Sequence, residues 1–259
     1  MDRAREAGLV RIVVPGWDVP SSEAALELAA RHPDLLVPAV GLHPHDAKGI
    51  DEAGWARLET LAADPAVRAI GEIGLDFFRN LSPPDAQRDA LARQLALAAG
   101  LGRPVLVHDR EAHEAITEAL LAWTAADPAA DAPRGVLHAF SGDAAMAARL
   151  SAAGFLISFA LPIAFGSAAG PRDAAAHLAP GSILVETDSP YLGPDRDRRN
   201  EPTTVLRVAA EVARLRGTTP ESVASSAAAG LRRLLDGQLR PASGGTPLAT
   251  RAVIPSSPK

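Results

Sequence analysis

Four segments of this chain end an apolar run on a metal-ligating or acidic side chain: Val67-Arg-Ala-Ile-Gly-Glu72, Pro104-Val-Leu-Val-His108, Gly135-Val-Leu-His138 and Ile183-Leu-Val-Glu-Thr-Asp188. Two neutral imidazoles and two carboxylates suit Zn²⁺, Mn²⁺ or Fe²⁺, and Mg²⁺ less well because it favours all-oxygen shells. Such an ion activates water and polarises a phosphoryl or carbonyl oxygen. Glu72, His108, His138 and Asp188 are therefore candidate ligands of one divalent cation, and a metallohydrolase is the leading reading. Glu186 and Asp188 close a buried strand as an acidic pair, a costly arrangement unless a metal or an arginine neutralises it.

Apolar runs rich in Val and Ile suit strands buried on both faces. Strand-like runs recur near 10–15, 35–41, 67–72, 104–108, 135–138, 154–159 and 182–187, with Ala/Leu/Glu/Arg-rich stretches of helical spacing between most of them. Residues 21–31 follow Ser21-Ser22-Glu23, which reads as an N-cap, and residues 85–100 run from Asp85, after two prolines, to a stop at Gly100. Residues 111–123, 143–153, 203–216 and 220–235 are similar in kind. This alternation predicts right-handed β-α units and a parallel sheet. Strands that finish on Glu, His, His and Asp gather those groups at one rim, where a TIM-type (β/α) barrel keeps its chemistry. An open doubly wound sheet is the alternative, but no Gly-x-Gly-x-x-Gly follows the first strand to support a dinucleotide site.

Seven strands are visible where such a barrel has eight. The chain opens inside a helix-like stretch, Asp2 to Gly8. A sheet short of its first strand is expected to leave two unpaired edges and a gap in the wall, and the recorded start is expected to lie downstream of the natural one. Residues 1–239 are read as a single metal-dependent hydrolase barrel. Residues 240–259, rich in Pro, Ser, Gly and Thr without periodicity, are read as a disordered tail.

The 259 residues fit one large α/β domain, and a hydrophobic share of 47% supplies its core. With no Cys there are no disulfides, thiolate ligands or cysteine nucleophiles, which fits a reducing cytoplasm. No secretory signal pattern follows Met1, and no apolar run approaches the roughly 20 residues that span a bilayer. A net charge of −5 argues against a broad basic face coating long duplex DNA. It leaves room for an enzyme that grips one phosphate end with a metal and a few arginines.

His43 and His45, in Gly41-Leu-His-Pro-His45, end another strand and are candidates for substrate contact or a second ion. Arg79, Arg110, Arg198 and Arg199 lie close to strand ends. The last two sit in Asp195-Arg-Asp-Arg-Arg-Asn-Glu-Pro202, after the final strand, where barrels of this kind commonly bind phosphate. His32, His113 and His177 have helix-like settings and are given no role.

Taken together, Gly41-Leu-His-Pro-His-Asp-Ala47, Gly71-Glu-Ile-Gly-Leu-Asp-Phe77, Pro104-Val-Leu-Val-His108, His138-Ala-Phe-Ser-Gly142, Glu186-Thr-Asp-Ser-Pro-Tyr-Leu192 and Arg199-Asn-Glu-Pro202 resemble the successive signatures of the TatD family of metal-dependent deoxyribonucleases. They occur in the family's order over about residues 8–235. Phe77 to Asn80 followed by Ser82-Pro83-Pro84, and His108-Asp-Arg-Glu-Ala-His113, resemble the TatD branch in particular. The resemblance implies a TIM-type barrel of the amidohydrolase kind that hydrolyses DNA with a divalent metal, typically from the 3′ end, in DNA repair or degradation. It implies that Glu72, His108 and His138 are metal ligands and that Asp188 binds metal and helps activate water. One departure stands out: most of the family opens with a strand ending in His-x-His, and this chain has no such motif.

The expected enzyme is thus a divalent-metal-dependent 3′–5′ exonuclease using Mg²⁺, Mn²⁺ or Zn²⁺. Asp188 and Glu72 are its catalytic carboxylates, and His43, His45, Arg79, Arg110 and Arg199 its substrate contacts. It is expected to act on a DNA 3′ end as a cytoplasmic monomer. The nearest rival is an enzyme of the same barrel acting on a small amide, lactone or ester; a non-catalytic remnant and a pure DNA-binding module are further alternatives. Acidic balance, and carboxylates that repel phosphate without an ion, count against the last.

Overall fold

The computed structural model describes residues 1–126, 132–194 and 199–237; the proposed tail and Arg198 lie outside them. In chain order the elements are α1 (Asp2–Glu6), β1 (Ile12–Pro15), α2 (Val19–Arg31), β2 (Leu36–Val40), α3 (Glu52–Ala62), β3 (Ala69–Asp76), α4 (Pro84–Leu101), β4 (Val105–Arg110), α5 (His113–Ala125), β5 (Gly135–Leu137), α6 (Ala144–Ala152), β6 (Phe155–Phe159), α7 (Ala169–His177), β7 (Ile183–Val185), α8 (Val205–Arg216) and α9 (Pro220–Asp236). All seven strands pair in parallel and in sequence order, from β1 through to β7. This is the strand-helix alternation expected of β-α units, and the sheet curls into an incomplete barrel.

Two helix ends differ from expectation. The N-cap of α2 is Asp18 rather than the Ser21-Ser22 pair. Its side chain accepts the Ser21 N–H at 2.8 Å, while Ser21 Oγ accepts the Asp18 N–H at 2.9 Å. A carboxylate and a hydroxyl three residues apart close a reciprocal box that neither makes alone. Helix α4 runs through Gly100 and stops at Gly102, which takes the left-handed conformation (φ 62°) that ends many helices. Helices α3 and α7 form where the sequence spacing marks no helix.

Side chains alternate across the sheet. Ala39, Ala69, Leu106, Val136, Leu156 and Leu184 form an inner layer, which Ala227 and Leu234 of α9 fill. Val105, Val107, Leu137 and Ile157 face outward into the larger core beneath the helices. No ladder joins β1 to β7. One cavity of about 3330 Å³ extends from the rim to the space between those edges, lined there by Val13, Val14, Leu184 and Leu231. Among the described residues the gap expected of a seven-stranded wall is present.

Candidate active site

The same two-residue period that builds the inner layer places the site directly above it. Two residues on from Leu106 comes His108, from Val136 comes His138, from Leu156 comes Ser158, and from Leu184 comes Glu186. Glu72 would break this rule in a regular strand, because Ala69 faces inward and an odd step separates them. The ladder between β3 and β4 corrects it: Ile70 pairs with Val105 and Ile73 with Val107, so three steps on β3 oppose two on β4. One extra residue in the strand turns Glu72 to the inner face. Glycine makes the correction possible. Gly71 (φ 154°) leaves no room for a Cβ beside the Leu106 backbone, and at Gly74 (φ 143°) a Cβ would collide with the His108 carbonyl. The Glu72 N–H donates to Gly16 C=O at 2.8 Å, tying the bulge to the loop after β1.

Glu72 Oε1 is the centre of the site. His138 Nε2 lies 2.9 Å from it, His108 Nδ1 3.0 Å and His43 Nε2 3.4 Å. The far nitrogen of each ring is also held. His108 Nε2 is 3.3 Å from Asp76 Oδ2, His138 Nδ1 is 3.1 Å from Glu186 Oε1, and His43 Nδ1 accepts the His45 N–H at 3.2 Å. Such outer partners fix ring orientation and tautomer at metal centres. Asp76, fully buried, also meets His45 Nε2 at 2.8 Å and accepts the Arg79 N–H at 2.7 Å. Glu186 further accepts the Ala139 N–H at 2.5 Å and the Ser158 hydroxyl at 2.8 Å.

These contacts set the charge states. Burial would raise the Glu72 carboxyl, but the field of His138 and hydrogen bonds from His108, His138 and His43 outweigh it and hold it well below the usual carboxylate range. Burial likewise opposes charge on Asp76, yet His108, the Arg79 N–H and His45 pull it down. In His138 burial is overcome by Glu72 and Glu186, and its pKa rises well above the ordinary imidazole value. His108 is raised too, by Asp76 and Glu72 against burial. His43 goes the other way: burial lowers it, and Glu72 only partly offsets this. Asp188 is raised, by burial and then by Glu186 and Glu72, with His138 opposing.

The structure brings Glu72, His108 and His138 into direct contact. Asp188, half-buried in a left-handed turn (φ 56°), lines the same cavity, and its carboxylate makes no hydrogen bond with a described residue. His43 stands closer to the centre than its motif suggested: His43, Glu72 and His108 present donor atoms all within 4.8 Å of one another. His45 is one step removed, on Asp76. Arg79, Arg110 and Arg199 are exposed and line the cavity, the Arg110 guanidinium 4.0 Å from the Phe78 ring centroid. Asp76 and Glu186 lay inside the quoted motifs without an assigned role. The run of strand-end acids signalled them, but their partners come from other strands. His113, also without a role, pairs its Nδ1 with Asp109 Oδ2 at 2.6 Å.

A divalent cation fits these residues. The donors are nitrogen and oxygen without sulfur. Glu72, Asp76 and Glu186 gather around the imidazoles of His43, His45, His108 and His138, and a cation held by the deprotonated rings would take over the neutralisation of the carboxylates that the raised His108 and His138 otherwise supply. Desolvated carboxylates in such numbers call for a cation among them.

Comparison with known proteins agrees with this chemistry. The family model described as TatD related DNase matches residues 1–236. The chain is 35% identical over 236 residues to the uncharacterized metal-dependent hydrolase YabD of Bacillus subtilis, covering 90% of each chain. It is 39% identical over 221 residues, 83% of each, to the 3′-5′ ssDNA/RNA exonuclease TatD of Edwardsiella piscicida. Its fold superposes on the crystal structure of YJJV, a TatD homolog from Escherichia coli, with a TM-score of 0.82 and 29% identity, covering 91% of this chain and 90% of that one. The incomplete barrel and its ring of imidazoles and carboxylates therefore belong to a metal-dependent hydrolase, and the chain is a member of the TatD-related DNase family.

Proposed function

We propose that this chain is a divalent-metal-dependent nuclease that hydrolyses the phosphodiester bonds of DNA from a free 3′ end, in repair or degradation of DNA. The reading is carried by one observation: three imidazoles converge on a single oxygen of Glu72. The relative from Edwardsiella piscicida, named as a 3′-5′ exonuclease, supports the direction of attack. The single continuous sheet supports one catalytic unit, and the absence of Cys suits a cytoplasmic enzyme.

Glu72, His108, His138 and Asp188 are the residues proposed to hold the ion, which is Mg²⁺, Mn²⁺ or Zn²⁺. A divalent ion held there would supply Lewis acidity, lowering the pKa of water and drawing charge from a phosphoryl oxygen. Asp188, raised by its surroundings and without a side-chain hydrogen bond to a described residue, is suited to take the proton of the attacking water. Glu72 orients the rings around it. Burial lowers the His43 pKa and favours the neutral ring, and because its Nδ1 accepts the His45 N–H its proton sits on Nε2, toward Glu72 Oε1 at 3.4 Å. His43, beside that carboxylate, and His45, held by Asp76, are the imidazoles proposed to stand next to the bound strand. Arg79, Arg110 and Arg199 offer guanidiniums that offset charge growing on the phosphoryl group.

The test is cleavage of 3′-blocked and unblocked single strands with Mg²⁺, Mn²⁺, Zn²⁺ or chelator, run beside a panel of lactones and amides. Metal-dependent shortening of the unblocked strand alone is expected. Turnover of the lactone or amide panel with both strands left intact overturns the reading.

A further inference from the structure

The chain holds three Trp, one Tyr and six Phe, and the exposed ones have a common location. Trp17 follows β1, Phe78 follows β3, Phe165 follows β6 and Tyr191 follows β7, so all four lie at the carboxyl ends of strands. None of the helices exposes such a ring. Burying a large ring is favourable, and three of the four, Trp17, Phe165 and Tyr191, left in water along one cavity suggest a ligand that covers them.

Two of the four are fastened to the site itself. The Trp17 N–H donates to Ser21 Oγ at 2.9 Å, and its carbonyl accepts the His43 N–H at 2.8 Å. The Tyr191 N–H donates to the Asp188 carbonyl at 2.8 Å, and its own carbonyl accepts Asn200 Nδ2 at 2.6 Å. Each ring thus hangs from a main chain pinned at both polar groups, one hydrogen bond from a residue of the proposed centre. Yet the residues are 48% and 66% exposed. Both line the cavity that holds Glu72. Phe78 differs, since Arg110 already covers one of its faces at 4.0 Å.

We infer that Trp17 and Tyr191 are stacking platforms that determine specificity for unpaired bases next to the scissile phosphate. The inference rests on the nuclease reading for its ligand, single-stranded DNA or RNA. A flat base covers an aromatic ring whatever its identity, so such platforms bind without sequence preference. A base can use them only after leaving its stack, so a single-stranded end binds more readily than a paired one. Arg110, seated on Phe78, and Arg79 supply the positive charge that tracks the backbone.

The test measures binding by fluorescence anisotropy, with Mn²⁺ present, of a labelled, cleavage-resistant phosphorothioate single strand and of an abasic strand with the same linkages. The parent protein is expected to bind the base-bearing strand more tightly. Trp17→Ala and Tyr191→Ala are each expected to weaken that binding about tenfold and leave the abasic strand unchanged, while Trp17→Phe and Tyr191→Phe keep it. A parent that binds both strands alike, or variants that lose affinity equally for both, overturns the inference. Strand cleavage with added metal is scored separately. Base-dependent binding without cleavage defeats only the nuclease reading, and cleavage indifferent to base removal defeats only the platforms.

Discussion

Glu186 Oε1 lies 3.1 Å from Nδ1 of His138, while Glu72 Oε1 lies 2.9 Å from Nε2 of the same ring. One imidazole therefore spans two carboxylates, the inner one at the centre of the site and the outer one setting the ring's orientation. Glu186→Gln should keep the fold and weaken divalent-metal affinity about 10–100-fold, the usual cost of losing an outer partner. Titration calorimetry with Mn²⁺ or Zn²⁺ checks it; an unchanged dissociation constant would mean that Glu186 does not support the ligand.

In the metal-free protein His138 and His108 are raised above the ordinary value of 6.5 by their carboxylates. A raised imidazole contributes stability that is fully present below its unfolded pKa and is lost as pH rises through the folded one. Metal needs the same rings deprotonated. The melting temperature in chelator should therefore fall as pH climbs from about 6.5, while the increment from added metal grows. Calorimetry in buffers of different ionisation enthalpy should show protons released on binding. Parallel pH profiles with and without metal would contradict the charge states described.

Gly74 lets β3 approach β4 where His108 stands, at φ 143° and with no room for a Cβ against the His108 carbonyl. Gly74→Ala should cost about 2 kcal/mol or more in urea unfolding, because it adds backbone strain to a steric clash. Surviving protein should bind metal poorly. A denaturation midpoint equal to the parent's would show that the strands can part at no cost.

Asn200, almost fully buried, donates through Nδ2 to the carbonyls of Thr187 at 2.7 Å and Tyr191 at 2.6 Å. It staples the turn that carries Asp188. Asn200→Ala should lower kcat about tenfold or more, since misplaced catalytic groups lose rate steeply. Metal affinity, set by the other ligands, should change less. Steady-state kinetics beside calorimetry separates the two, and a wild-type kcat would release Asn200 from this role.

The parts of this fold legible in the sequence are those specified locally. Strands β3, β4 and β5 each hold a short apolar run that a Glu or His interrupts or follows, although β3 runs on past Glu72 to Asp76 and β4 past His108 to Arg110. His108, His138 and Glu72 could thus be picked out before any pairing was known. The less legible parts depend on partners far along the chain. Asp76 gains its role from His45 and His108, and Glu186 from His138 and Ser158, contacts between strands that no local spacing encodes. The bulge that turns Glu72 inward announces itself only as a glycine on either side. Helix ends shifted for a similar reason: Asp18 competes with Ser21 for the first turn of α2, and Gly102 offers α4 a better stop than Gly100.

The central claim is that Glu72, His108 and His138, with Asp188, share one divalent cation. X-ray absorption on Zn²⁺-loaded protein, parent beside His108→Ala, tests it most directly. The account predicts a stoichiometric ion in a nitrogen and oxygen shell with imidazole scattering, diminished by one ring in the variant. An ion with no histidine in its shell, or a shell identical in the two proteins, would contradict it.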